Sequence, residues 1–162
     1  MDRVFDGDAP IVIGLVDVQD PGNAGSVIRC ADALAAAGVL ALGASADPGG
    51  WKALRGAMGS TFRVPVARGE VDAAIALARA RGRVIAAATP RGGIPLGAEA
   101  FTRPMLLLLG NEGGGLPARY LGGVDLAITV PMRAGVESLN LAVTAALVLW
   151  ESTRAARGPL PR

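Results

Sequence analysis

The sequence contains no histidine and a single cysteine, Cys30. Without histidine, no His-based catalytic triad can be assembled, and most zinc sites lose their usual nitrogen ligands. One cysteine excludes an internal disulfide and suits a reducing, cytoplasmic compartment. Its place inside a helical stretch makes it a small core residue. Aromatics are scarce, at 4% of residues, so the core must close on Ala, Leu, Val and Gly. Long hydrophobic runs are missing too. Ile11–Val16, Met105–Leu109 and Leu141–Trp150 all fall short of the roughly 20 residues of a membrane span. The N-terminal MDRVFDGDAP is acidic and lacks the apolar centre of a signal peptide. Neither a membrane nor a metal is expected as a partner.

Lysine is nearly absent as well: Lys52 is the only one among 16 basic residues, the rest being Arg, and the net charge is only +2. Arg binds phosphate bidentately and stacks on bases. A biased genome composition also favours Arg, so charge alone does not point to nucleic acid.

What is present is a chain of 162 residues, half of them hydrophobic, enough for one domain with a sizeable core. We expect a single domain over 1–162, its core at about residues 10–156 and a frayed tail at 157–162. Strand-like runs at Pro10–Asp17, Val39–Leu42, Phe62–Val66, Arg83–Thr89, Met105–Gly110 and Asp125–Val130 alternate with helical stretches. These are Asn23–Ala37, Trp51–Met58, Val71–Arg81, a short one from Pro117, and Ser138–Arg154. The alternation predicts an α/β fold with a mostly parallel six-stranded sheet and helices on both faces. Ligands in such sheets gather beyond the carboxyl ends of the strands. The loops there are Val18–Gly22, Pro90–Gly97, Asn111–Gly115 and Pro131–Glu137. The last helix carries Leu141, Val143, Leu147, Val148, Leu149 and Trp150 all round its axis. A helix of that kind is covered on more than one side, which predicts a homodimer.

Three polar constellations stand out. Asn23 reads as a cap of the first helix, with Arg29 two turns on. A helix N-terminus with an Arg makes a phosphate seat; the plainer alternative is an Arg29–Asp32 surface pair. Gly110-Asn111-Glu112-Gly113-Gly114-Gly115 lets a backbone approach a ligand closely. It lacks the Gly-Lys-Ser/Thr of a phosphate loop. A dinucleotide fingerprint is absent after the first strand, where Asp20-Pro21-Gly22-Asn23-Ala24-Gly25 stands instead. Glu112 reads equally as a first-turn helix charge or a functional carboxylate. Ser138 and Asn140 open the last helix and read by default as caps.

These segments, in this order, resemble the SpoU/TrmH-type RNA ribose 2′-O-methyltransferases of the SPOUT class. Asp20–Arg29, DPGNAGSVIR, is similar to the first motif, with Asn23 and Arg29 at its key positions. Leu108–Leu116, LLGNEGGGL, is similar to the second, with Glu112. Val130–Leu141, VPMRAGVESLNL, is similar to the third, with Ser138 and Asn140. Lys52–Pro65, KALRGAMGSTFRVP, resembles the segment between the first two motifs.

The resemblance implies a C-terminal trefoil knot, a feature ordinary topology makes very rare. It also implies an obligate dimer and S-adenosylmethionine as cofactor. By position the cofactor is expected to contact Thr89, Leu109, Gly110, Asn111, Gly113, Val130, Met132 and Leu139. The substrate is expected to be transfer or ribosomal RNA. Arg29, Asn23, Glu112, Ser138 and Asn140 form the implied catalytic set, with Arg29 gripping the phosphate beside the target ribose. Arg29, Lys52, Arg55, Arg63, Arg91 and Arg133 are candidates for RNA contact. Many members carry an extra N-terminal RNA-binding domain; this chain starts almost at its first strand, as a minimal member or a piece of a longer protein. A non-catalytic RNA-binding or assembly protein of the same fold is the competing reading. A nucleotide-binding oxidoreductase is a third, weakened by the missing fingerprint.

Overall fold

Strand β1, Ile11–Val16, is buried along its whole length, as its unbroken apolar sequence requires of a strand covered on both faces. Ile11, Ile13 and Leu15 enter one core cluster and Val12 and Val16 the other. Gly14 leaves room between them: a Cβ there would lie 2.9 Å from Leu108 Cδ2 and 3.1 Å from Leu42 Cδ1. The structure is a computed structural model and describes residues 1–7, 9–97, 101 and 103–157. The expected tail, apart from residue 157, and parts of the segment before Met105 lie outside the described residues.

The remaining strands are β2 Gly38–Leu42, β3 Val66–Gly69, β4 Val84–Ala88, β5 Ile94–Pro95, β6 Met105–Leu109 and β7 Leu126–Thr129. They form one sheet in the order β3-β2-β1-β6-β4-β7-β5, and every pairing is parallel. The helices are α1 Pro21–Ala33, α2 Trp51–Ala57, α3 Val71–Ala80, α4 Ala118–Leu121 and α5 Leu141–Arg157. Helices α1 and α5 cover one face, through Val27, Ile28, Ala145, Val148 and Leu149. Helix α3 and the N-terminal residues Val4 and Phe5 cover the other.

The sheet has seven strands rather than the expected six. The addition, β5, lies in the loop Pro90–Gly97 and pairs only Ile94 with Ile128 and Pro95 with Thr129. Two residues are too few for any periodicity, and Pro costs nothing on an edge strand, where no ladder N–H is needed. The third strand also begins later than expected. Ser60–Phe62 form a 3-10 turn, Phe62 is 83% exposed, and pairing starts at Val66 beside Val39.

Two helix starts differ as well. Helix α1 begins at Pro21, and its cap is Asp20, whose carboxylate accepts from Gly22 N at 2.8 Å. Asn23 therefore lies inside the helix and does not cap it. Asp followed by Pro at the first helical position is a strong start signal, and it displaces Asn23. Helix α5 begins at Leu141, and Asn140 alone caps it, its Oδ1 accepting from Ala142 N and Val143 N at 2.9 and 3.3 Å.

Helix α2 docks on α1 and contributes Ala57 to the core on that face. A Cβ on Gly25 would fall 2.3 Å from Ala53 O and 3.0 Å from Gly56 Cα, and one on Gly56 3.2 Å from Gly22 O. The two helices thus meet backbone to backbone, which only glycine permits. Gly25→Ala should lower stability by about 1–3 kcal/mol through overpacking. It should appear as a lower urea midpoint at unchanged slope; an unchanged midpoint would show that α2 parts freely from α1.

Candidate active site

The carboxyl ends of β4, β6 and β7 open into a cleft of about 530 Å³. It lies beside the centre of the sheet, where β6 is inserted between β1 and β4. Its walls come from three loops and the start of α5. Thr89, Leu109, Gly110, Asn111, Gly113, Val130, Met132 and Leu139, the residues expected to contact a cofactor, all line it. The loop after β6 turns back on itself: Gly115 N donates to Asn111 O at 2.9 Å, and Gly114 N to Asn111 Oδ1 at 2.6 Å. Gly110 makes this turn possible, since a Cβ there would lie 2.0 Å from Gly115 C. On the opposite wall Thr89 Oγ1 stands 3.3 Å from Thr129 Oγ1, which also accepts from Gly93 N at 3.0 Å. That bond ties the Pro90–Gly97 loop to the end of β7.

A chain of side-chain hydrogen bonds joins the three motif loops. Asn140 Nδ2 donates to Asn23 Oδ1 at 3.1 Å, and Asn23 Nδ2 donates to Glu112 Oε1. The direction is forced at both ends. The α5 N–H groups can only donate, so Asn140 must turn its oxygen to them and its amide nitrogen to Asn23. The Glu112 carboxylate can only accept, so Asn23 must turn its nitrogen toward it. Each amide therefore has one allowed orientation. Asn23 and Asn140 do not line the cleft; they stand behind Glu112, which does.

The other expected site residues divide. Ser138 is exposed on the cleft wall, and Arg91 lines its rim. Arg29 is exposed on α1 and does not line the cleft. It makes no ion pair among the described residues; Asp32, its alternative partner, pairs with Arg63 at 2.6 Å instead. The Arg63 hydrogen bond, helped by Ser60, holds the Asp32 carboxyl below its ordinary range. That contribution to stability is present above the unfolded-state value and is lost as pH falls through the lowered one. Arg63 is therefore engaged within the chain, whereas Lys52 and Arg55 stand over the exposed ring of Trp51. Arg133 is exposed on the loop after β7. Cys30 is half-buried against α5, its Sγ 3.8 Å from Ala142 O, and burial pushes its thiol pKa up against a smaller pull from Arg29.

The expected site residues leave out Leu116, Leu141 and Thr144, and also Glu137 of the polar loop between β7 and α5, all of which line the cleft. Thr144 carries a signal, as the one polar break in the apolar run Leu141–Trp150; its hydroxyl bonds back to Asn140 O at 3.2 Å. No group of three or more His, Cys, Asp or Glu side chains among the described residues is placed to hold a metal ion.

Fold and cleft define a parallel α/β domain with its ligand site at the carboxyl edge of the sheet. The model of the SpoU rRNA Methylase family matches residues 10–150, and the chain belongs to that family. It is 37% identical over 137 residues to the 23S rRNA (guanosine(2553)-2′-O)-methyltransferase of Bacillus subtilis, covering 84% of this chain and 55% of that protein. It is 38% identical over 140 residues to the 23S rRNA (uridine(2479)-2′-O)-methyltransferase of Streptomyces viridochromogenes, covering 83% and 49%. The chain thus spans about half the length of the curated relatives it matches. Among solved structures, the SpoU methyltransferase AviRb of Streptomyces viridochromogenes in complex with AdoMet superposes with a TM-score of 0.87. The match has 32% identity and covers 97% of this chain and 64% of that one.

The hydrogen-bond chain makes a pH-dependent prediction. Asn23→Asp sets a second carboxylate against Glu112, and two facing carboxylates raise each other's folded-state pKa. The penalty should be full at neutral pH and shrink as pH falls toward 4, about the ordinary carboxylate value. Asn23→Ala, which loses only the bonds, should cost about 1 kcal/mol with little pH dependence. Urea unfolding of both variants between neutral and acid pH measures the difference.

Proposed function

We propose that the chain is the catalytic domain of an S-adenosylmethionine-dependent methyltransferase that modifies a ribose 2′-hydroxyl of ribosomal or transfer RNA. The observation that carries this reading is the bonding of Asn23, Glu112 and Asn140 beside a cleft of ligand size, in a member of the SpoU family. The cleft suits the cofactor. Its volume of about 530 Å³ lies within the usual range for small-molecule sites. Leu109, Leu116, Ile128, Val130 and Leu139 offer apolar walls, and the strand ends add backbone polar groups. Glu112 and Glu137 supply negative charge for a cationic ligand. When bound, the cofactor supplies a methyl group already activated by its sulfonium charge.

What is left to the protein is alignment, worth about 7–11 kcal/mol in favourable cases, and placement of the 2′-hydroxyl proton. No histidine is available for the proton, and an Arg hardly ever releases its own. Arg29 therefore acts by holding the phosphate beside the target ribose. Asn23 acts from behind Glu112, whose carboxylate it orients, and Ser138 presents its hydroxyl on the cleft wall to orient the sugar. Glu112 is fixed by Asn23 and lines the cleft; as the oxygen–carbon bond forms and the carbon–sulfur bond breaks, its carboxylate or solvent takes the 2′-hydroxyl proton.

The same reading includes a trefoil knot in the C-terminal chain. It is supported by the path from β7, beyond β4, back to α5, which packs on α1. It also includes a homodimer. Val143, Leu147 and Trp150 are 47%, 37% and 55% exposed and recur at helical spacing on α5, a stripe that a second copy would cover. A cytoplasmic setting fits an RNA substrate; no helix of the described residues is long and apolar enough to cross a membrane.

Calorimetry with S-adenosylmethionine and labelled methyl transfer to ribosomal and transfer RNA test the activity. The product should be an alkali-resistant 2′-O-methyl ribose. Arg29→Ala should reduce transfer at least about 100-fold, the scale of a lost positioning contact, with cofactor affinity nearly unchanged. Near-normal turnover in that variant removes Arg29 from the site. A wild-type chain that binds RNA but neither binds the cofactor nor transfers methyl is instead a non-catalytic RNA-binding protein. Sedimentation should give a dimer at micromolar concentration, and Leu147→Asp should shift it to monomer; a wild-type monomer overturns the assembly.

A further inference from the structure

Between Pro48 and Gly69 the sequence places four cations, Lys52, Arg55, Arg63 and Arg68, and no carboxylate, in a chain whose net charge is only +2. The most exposed large apolar side chains of the described residues fall in the same stretch: Trp51 at 64%, Met58 at 67% and Phe62 at 83%. Large apolar side chains left in water beside unneutralised cations match no requirement of the core.

Helix α2 sorts these residues by face. Ala53 and Ala57 are buried, on the side that meets Gly25 of α1. Trp51, Arg55 and Met58, at i, i+4 and i+7, lie on the opposite side. Lys52 Nζ and Arg55 Cζ stand 5.6 and 5.7 Å from the Trp51 ring centroid. Both stand over the ring near the outer limit of a cation–π contact, so a base that stacks there moves them aside toward its own phosphates. The nearest carboxylate in sequence, Asp47, turns back to accept from Gly49 N at 3.0 Å. Arg63 is held by Asp32 and does not belong to the patch.

We infer that the solvent face of α2 is a stacking platform for an unpaired nucleobase of the substrate RNA. Trp51 lies against the base, and Lys52 and Arg55 meet the phosphates on either side. The inference rests on the RNA reading above and adds to it a stacking subsite. An aromatic ring between cations is the arrangement that binds single strands without sequence preference. A duplex keeps its base faces stacked inside and offers none to an indole. The platform also stands in a useful place. Helix α2 touches Gly22 and Gly25, the residues around Asn23, while its aromatic side faces away from α1. A base held there is a neighbour of the target nucleotide, not the target itself.

The test uses the full chain, a fluorescein-labelled single-stranded RNA 12-mer and a blunt-ended, loop-free duplex of the same length. Trp51→Ala should bind the single strand about tenfold more weakly, the cost of one lost stack, with the same salt slope and the same affinity for S-adenosylmethionine. Trp51→Phe should recover most of the loss. The double variant Lys52→Ala, Arg55→Ala should instead flatten the salt dependence by one to two phosphate contacts, or a slope change of about 1–2. In methyl transfer, Trp51→Ala should raise KM and leave kcat. Equal weakening for single strand and duplex overturns the inference, as does an unchanged affinity in Trp51→Ala. So does preferential binding of this face to vesicles of phosphatidylcholine and phosphatidylserine in equal parts. Trp51 is exposed, so an unchanged urea midpoint confirms that each variant is folded. Failure of the wild-type chain to bind S-adenosylmethionine is a separate result: it defeats the methyltransferase reading while the oligonucleotide arm still reports on Trp51.

Discussion

The side-chain amide of Asn23 is the joint between parts of the chain that are remote in sequence. Its partners Glu112 and Asn140 are 89 and 117 residues away. One belongs to the glycine loop after β6, the other caps α5. Because α5 and the carboxylate fix the two ends, the amides between them have no freedom to invert. A single residue on α1 thereby sets the position of Glu112 on the cleft wall and the entry of α5 beside it. The bonds are exposed and individually modest. Their effect is geometric, because they couple α1, the loop after β6 and the start of α5.

Glycine supplies the second constraint, and it acts through backbone contact. At Gly110 the chain folds back within 2.0 Å of where a Cβ would stand, and at Gly25 helix α2 comes within 2.3 Å of one. The first position shapes the cleft floor. The second brings the Trp51 helix up against the turn of α1 that carries Asn23. Both explain why a small, aromatic-poor core suffices: leucine and alanine fill the sheet faces, and the glycines let separate segments close on each other without side chains between.

Much of this architecture was visible in the sequence, and the reasons differ by element. The runs Ile11–Val16 and Met105–Leu109 are apolar at every position, and that pattern has few outcomes besides a buried parallel strand. Strand β5 was hidden because two residues show no period. Phe62 was read as the start of a strand on its hydrophobicity, yet it is exposed; hydrophobicity does not tell burial from a surface platform. Local rules favour Asn23 as a cap. Its true partners are tertiary, and no spacing rule reports a contact 89 residues away. The cleft-lining set was reached through the family resemblance and not from periodicity, since its members contribute largely strand-end backbone, to which side-chain patterning is blind.

The distribution of charge follows from the two ligands of the proposed reaction. Glu112 and Glu137 line the cleft, with Arg91 at its rim, whereas Arg29, Lys52, Arg55 and Arg133 stand outside it. A cleft meant for phosphate would be expected to invert that order. A cationic small molecule is favoured by carboxylates within a partly enclosed space, where screening is weak. A polyanion is favoured by cations on the open surface, where several phosphates can be met at once. Arg suits that outer role better than Lys, since its planar fork binds phosphate and also stacks on bases. The absence of histidine fits the same division: under the proposed reaction the methyl group arrives already activated, so the protein would hold two oppositely charged partners in register and let the hydroxyl proton leave, tasks within reach of hydrogen-bonded amides, carboxylates and arginines.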